Sequence, residues 1–305
     1  MLKKHHAQTL WILFFILPGL FVVSVIIIYP LVASLFNSLF SWTSFVRGEF
    51  VGLDNFRILL TQFPHNERFF NAIGNNFRWF VASMLFQNTI GLLFGYLLSR
   101  KIKGHQFYRR LFFLPVLLPL IAVGFLWLLY YNPQFGLFIR LFEVFGIEHL
   151  FRPWLGIPST ATNAIILINI WRWIGFPTLV FLAAIDNVPE DCIESAHIDG
   201  ASEWRIFLRI VFPLIIPAIM VITVLTLIGS INVFELIYAT AGLDGAPNFA
   251  TDTLGTLFYR LAFGSFASTI PQINIGSALS VIIYFMCLAL SLISIIFFQR
   301  KEVKL

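Results

Sequence analysis

Two groups of residues carry most of the chemistry this chain could perform. The first is acidic. Of 15 Asp and Glu residues, six fall within 18 positions: Asp186, Glu190, Asp191, Glu194, Asp199 and Glu203. Carboxylates at this density could bind metal or move protons. Yet no His/Cys/Asp/Glu set has the spacing of a metal centre, and no Ser/His/Asp arrangement stands out. A Gly-x-x-x-x-Gly-Lys-Ser/Thr phosphate loop is also missing from the sequence, so the chain has no nucleotide site of that kind. His5 and His6 read as part of a basic flank.

The second group consists of polar residues inside apolar runs: Asn88, Arg172, Thr226, Ser230, Asn232 and Glu235, with Trp171 beside Arg172. Such residues are costly in a membrane and usually face a bundle interior or a pathway. Neutral hydrogen-bonding groups near aromatic rings such as Trp171 and Tyr238 suit a polyhydroxylated solute better than an ion. At 1.5 Å per residue, Asn88 lies about 16 Å deep, Thr226 about 20 Å and Ser230 about 25 Å. Glu235, about 33 Å up a continuous helix, would reach the outer interface. Helix–helix hydrogen bonding explains a lone Asn88 equally well. Arg172 could snorkel outward or meet an anionic group.

The elements that must hold these residues follow from composition. The 305 residues are 59% apolar and only 11% charged, with 36 Phe and 8 Trp. Soluble domains carry about 25% charged residues. Mean hydropathy is +0.87. A water-soluble enzyme, a nucleic-acid binder and a disordered chain are excluded together, and an all-α polytopic membrane protein remains. Runs of about 20 apolar residues match a bilayer core. They predict six transmembrane helices at 10–37, 77–99, 111–131, 163–185, 210–236 and 275–298, in one domain covering 1–305. The first run is too long for a signal peptide and is read as a retained helix. With both termini on one side, 12 Lys and Arg fall on that side and six on the other. The positive-inside rule then predicts cytoplasmic termini. Cys192 and Cys287 are too few for a disulfide framework.

The acidic residues therefore fall in a cytoplasmic loop, 186–212, between spans four and five. Its pattern is helix, turn, helix. Asn187 and Pro189 mark a start, with Glu190 and Asp191 in a first turn that favours anions. Ile193, Ala196 and His197 share one face. Gly200 supplies a left-handed stop and Ser202 can cap the next helix. Trp204, Phe207, Leu208 and Val211 form an apolar stripe leading to Pro213 and span five. The arrangement would act as a lever into the membrane, or else be an ordinary amphipathic helix at the membrane interface.

The run Glu194-Ser195-Ala196, three residues, Gly200, nine residues, then Ile210-x-Phe212-Pro213 resembles the EAA loop of ABC importer permeases. It departs from the family form at Ser195 and Phe212. Segments Phe50–Phe56, Phe107–Pro115, Asn132–Gly136, Trp171–Phe176 and Val233–Tyr238 look like corresponding parts of sugar-type permeases. The chain is similar to the first permease subunit of maltose, raffinose and glycerol-3-phosphate type importers.

The resemblance implies a type I ABC importer permease fold in a bacterial cytoplasmic membrane, working by alternating access. It implies a second, homologous permease, two cytoplasmic ATPase subunits and an external solute-binding protein. A sugar or oligosaccharide would be carried, with membrane lipid around the protein and no nucleic acid. Glu194, Ser195, Ala196, His197, Ile198, Asp199 and Gly200 would form the helix that docks on an ATPase. The pathway would be lined by spans two, four, five and six, through Asn88, Trp171, Thr226, Ser230, Asn232 and Glu235. A phosphorylated polyol or an amino acid is the alternative cargo. A secondary transporter would want more intramembrane carboxylates and visible inverted repeats.

Overall fold

Where the apolar runs bend is set largely by proline. The computed structural model describes residues 2–43, 45–265 and 270–300. Among these, three helices are long and apolar enough to cross a membrane alone: Phe14–Asn37, His65–Ser99 and Ile273–Gln299. Three bent pairs complete a count of up to six: His105–Leu117 with Leu120–Tyr130 (97°), Pro158–Trp173 with Gly175–Asp186 (41°), and Glu203–Leu214 with Ile216–Ile231 (68°). The third span breaks at Pro115 and Pro119, the fifth near Pro213 and Pro217, where a missing N–H and a ring clash interrupt the helix.

Several spans differ from the hydropathy reading. The second begins at His65, not 77, because its first three turns are amphipathic and pack on other protein segments. The third is not one rod over 111–131. The fifth ends at Ile231, and Glu235–Ala241 is a separate short helix after a non-helical stretch. A two-stranded antiparallel hairpin, Phe40–Thr43 with Val46–Phe50, follows the first span. It is tied down by Asn55, whose amide donates to the carbonyls of Ser38 (2.8 Å) and Phe40 (2.9 Å).

Packing falls into three buried clusters. Leu59, Phe69, Leu227, Leu254, Leu257 and Leu279 join the second, fifth and sixth spans. Trp79, Trp127, Tyr131, Ile165, Ile168 and Ile237 join the second, third and fourth. Ile185, Val188, Ala196, Ile206, Phe207, Val211 and Ile215 gather under the 186–212 loop. The second and fourth spans meet closely at Gly95. A Cβ there would stand 3.0 Å from the Thr178 carbonyl oxygen and 3.1 Å from the Leu182 nitrogen. Only a small residue permits that approach. The first span lies on the rim, with Phe14, Phe15, Phe21 and Ile26 exposed, as expected of a face presented to lipid.

Candidate solute cavity and coupling helix

The second span changes its winding where its polar residues occur. Ser83–Asn88 is a π-helical turn within the helix His65–Ser99. Such turns insert an extra residue and are frequent at functional sites. Ser83, Gln87 and Asn88 all line a cavity of about 560 Å³. The fourth span supplies Asn169, Trp173 and Phe176 to the same cavity, and the fifth supplies Thr226 and Ser230, with Asn232 just past its end. Phe234 and Glu235 follow from the connection beyond Ile231.

An amide relay runs across three spans. Asn169 Nδ2 donates to Gln87 Oε1 (3.3 Å), Gln87 Nε2 to Asn88 Oδ1 (3.3 Å), and Asn88 Nδ2 to Thr226 Oγ1 (2.9 Å). These bonds are long or few enough to leave donors and acceptors for a ligand. Ser83 Oγ is buried with no hydrogen-bond partner. Trp79, Trp173, Phe176 and Phe234 add aromatic surface. A site of this size, mostly apolar with a few convergent polar groups, fits a small organic solute. Among the described lining residues there is no Lys or Arg.

Of the pathway residues expected from sequence, Asn88, Thr226, Ser230, Asn232 and Glu235 converge here. Trp171 does not. Its ring stands 5.5 Å from Trp127 in a separate aromatic cluster, while Trp173, two positions on and thus about 200° round the helix, lines the cavity. Glu235 is not at the top of a continuous span. It opens its own helix and faces the cavity because the chain turns at 232–234. The sixth span does not contribute to the lining, whereas the third does through Leu120. Gln87 and Asn169 were missed, although each is a polar residue in an apolar run. Arg172 neither snorkels nor faces the cavity. It donates to the carbonyls of Leu118 (2.9 Å) and Val116 (3.2 Å), groups freed by the break in the third span.

A second polar region, invisible to the sequence reading, lies beyond the cavity. Asn75 donates to the carbonyls of Ala250 (2.7 Å) and Asp252 (2.8 Å). Asn76 donates to those of Ser230 and Ile231 (3.1 Å) and accepts from the Leu254 N–H (2.9 Å). Thr162 donates to Ala250 (2.9 Å). Asp252 and Arg260 form an ion pair whose side chains are 0% and 1% exposed. Burial pushes the Asp252 carboxyl up, while Arg260 and the Thr256 hydroxyl pull it down.

On the far side of the spans, Glu190–Ile198 forms the expected helix. Gly200 has φ +72°, the left-handed conformation that ends it. Ala196 is buried in the third cluster, while Glu194, Ser195, His197, Ile198, Asp199 and Gly200 are exposed, Ile198 at 86%. Two local expectations fail. Ser202 occupies the N-cap position, yet its side chain makes no capping bond. The buried stripe is Ile206, Phe207, Val211 and Ile215, with Trp204 67% exposed and Leu208 exposed, because the π turn Phe207–Val211 shifts the period. Glu203 instead anchors the turn, pairing with Arg100 and accepting from the Tyr96 hydroxyl (3.3 Å). Among the described residues no group of three metal-ligating side chains occurs.

Broken helices around a solute-sized cavity with convergent polar groups, and a projecting helix joined to two of its walls, define a membrane transport component. The chain belongs to the family of binding-protein-dependent transport system inner membrane components, which matches residues 87–304. It is 32% identical to the trehalose/maltose transport system permease protein MalF of Thermococcus litoralis, over 91% of this chain and 90% of that one. It is 28% identical to the multiple sugar-binding transport system permease protein MsmF of Streptococcus mutans, over 95% of each. Its fold is similar to that of a chain in the crystal structure of a bacterial ABC transporter involved in import of the acidic polysaccharide alginate. There the TM-score is 0.82 and the identity 23%, with 98% of each chain covered. The protein is thus an ABC transporter permease subunit and not an enzyme.

Proposed function

We propose that this permease carries a neutral sugar or oligosaccharide across the cytoplasmic membrane by alternating access, driven by ATP hydrolysed elsewhere. The observation that carries this reading is the cavity. Its amide relay, free Ser83 hydroxyl and aromatic walls match the alternating hydroxyls and C–H faces of a saccharide. The sugar names of the relatives agree with it. A phosphorylated polyol is disfavoured, because the described lining residues include the acidic side chain of Glu235 and no Lys or Arg to hold a phosphate.

The working assembly contains a second, homologous permease, two ATPase subunits that bind ATP and Mg, and an external solute-binding protein. Both termini lie in the cytoplasm. The exposed helix face from Glu194 to Gly200 docks on an ATPase, and the third apolar cluster transmits its movement. That cluster includes Ile185 at the end of the fourth span and Ile206, Phe207 and Val211 at the start of the fifth. Both spans line the cavity, so a push on the docking helix rocks two walls together.

The test is uptake by the reconstituted importer. Asn88→Leu and Gln87→Leu are each expected to lower sugar uptake roughly tenfold or more, the loss of one or two ligand hydrogen bonds. Co-purification of the ATPase should persist. Unchanged uptake in both variants would overturn the cavity as the sugar path.

A further inference from the structure

A second cavity, of about 470 Å³, opens where the second span ends, the third begins and the fourth ends. Its lining includes Lys101, Arg109 and Arg110, together with Asp186. Its wall is apolar: Leu98, Phe113, Leu179 and Leu182. We infer that this cavity binds an anionic glycerophospholipid, with the phosphate on Lys101, Arg109 and Arg110 and an acyl chain along the apolar wall.

Basic residues at span ends are ordinary orientation signals, but three features separate this group from that role. First, the cations converge on one concave site. Second, they are unspent. Lys101, Arg109 and Arg110 take part in no ion pair or side-chain hydrogen bond among the described residues, whereas neighbouring Arg100 is paired with Glu203. Third, the apolar wall would gain nothing from a free anion, while it matches a lipid whose headgroup and chain meet at that depth. Basic pockets between helices on this side of a membrane are suited to anionic headgroups. The site adjoins Gly95, where the second and fourth spans touch, and Arg100, which holds the coupling turn. A bound lipid would therefore brace the elements that carry motion to the sugar cavity. The inference needs the chain only to be membrane-embedded and is independent of which solute is carried.

The test uses the assembled importer, extracted from nanodiscs containing equal phosphatidylglycerol and phosphatidylcholine, with retained lipid counted by native mass spectrometry. Wild type is expected to retain phosphatidylglycerol on the order of tenfold over phosphatidylcholine. Combined Lys101→Gln, Arg109→Gln and Arg110→Gln should bring the two lipids to parity, with the ATPase subunits still bound. Asp186→Asn removes the opposing charge without touching the cations and should raise the preference. Should the triple variant fail to assemble, Asp186→Asn and the charge-preserving Arg109→Lys, which should keep the preference, still decide. The inference fails if the triple variant retains the wild-type ratio or if Asp186→Asn lowers it. It fails equally if millimolar inorganic phosphate strips the lipid, which marks a free-anion site. Loss of the ATPase with lipid retention intact would make the cavity a protein contact and sink it too.

Discussion

The sugar cavity and the polar region beyond it are built from the same residue types and differ in how far their hydrogen bonds are used up. Around the cavity, Gln87 and Asn88 bond only to other side chains, partly at long distance, Asn169 makes one long bond, and Ser83 makes none. Beyond it, Asn75 and Asn76 each bind two carbonyls, Asn76 also accepts an N–H, and Asp252 is held by Arg260 and Thr256. Residue type does not separate a binding group from a structural one in a membrane protein. The remaining hydrogen-bonding capacity does. This nearly saturated region, in which Arg260 Nε and Asp244 Oδ1 still lack partners, fastens the chain from 244 to 254 to the second and fourth spans, and Asn76 fixes the end of the fifth, so the open region keeps its shape.

The contrast breaks most visibly at the ion pair. Arg260→Leu leaves Asp252 buried and unpaired, which costs about 3–5 kcal/mol. It should abolish stable protein in a detergent thermal-melt assay. Next comes Asn76→Leu, which strands the Leu254 N–H and two carbonyls at about 1–3 kcal/mol for each unsatisfied group. Its melting temperature should fall clearly, whereas Asn88→Leu should leave melting nearly unchanged while uptake drops. If the two asparagines prove equally costly to stability, the division between saturated and open regions is wrong. The smallest expected effect is Ser83→Ala. It removes a hydroxyl that has no partner, so stability should stay within roughly 0.5 kcal/mol of wild type while apparent sugar affinity weakens.

Much of the fold could be read from apolar run length, because membrane spans announce themselves by composition. The sixth span was placed within two residues at its N-terminus and one at its C-terminus, at Ile273–Gln299. What composition could not reveal were interruptions. The 97° turn in the third span lies inside an unbroken apolar run, where hydropathy is blind and only Pro115 and Pro119 give a signal. The same blindness misplaces Glu235, because the helix that would carry it to the outer interface ends at Ile231. In the cavity, Asn88, Thr226 and Ser230 stood out as polar residues among apolar ones. Trp173 could not be preferred to Trp171 without the rotation of the fourth span. The saturated region was hidden for another reason. Asn75, Asn76 and Asp252 look like ordinary extramembrane polar residues until the chain from 244 to 254 folds back across them.

The π turn at Ser83–Asn88 also makes the chain sensitive to counting. The wide turn already absorbs one extra residue, so inserting another between 83 and 88 would exceed it and rotate everything after it by about 100° relative to what precedes. Gly91 and Gly95 would then leave the seam against Pro177, Thr178 and Leu182, and bulkier residues would be driven into a gap cut for hydrogen atoms. Side chains along this stretch can be exchanged one at a time. Its length cannot be increased, and a lineage that gained one codon there would lose the fit of two spans at once.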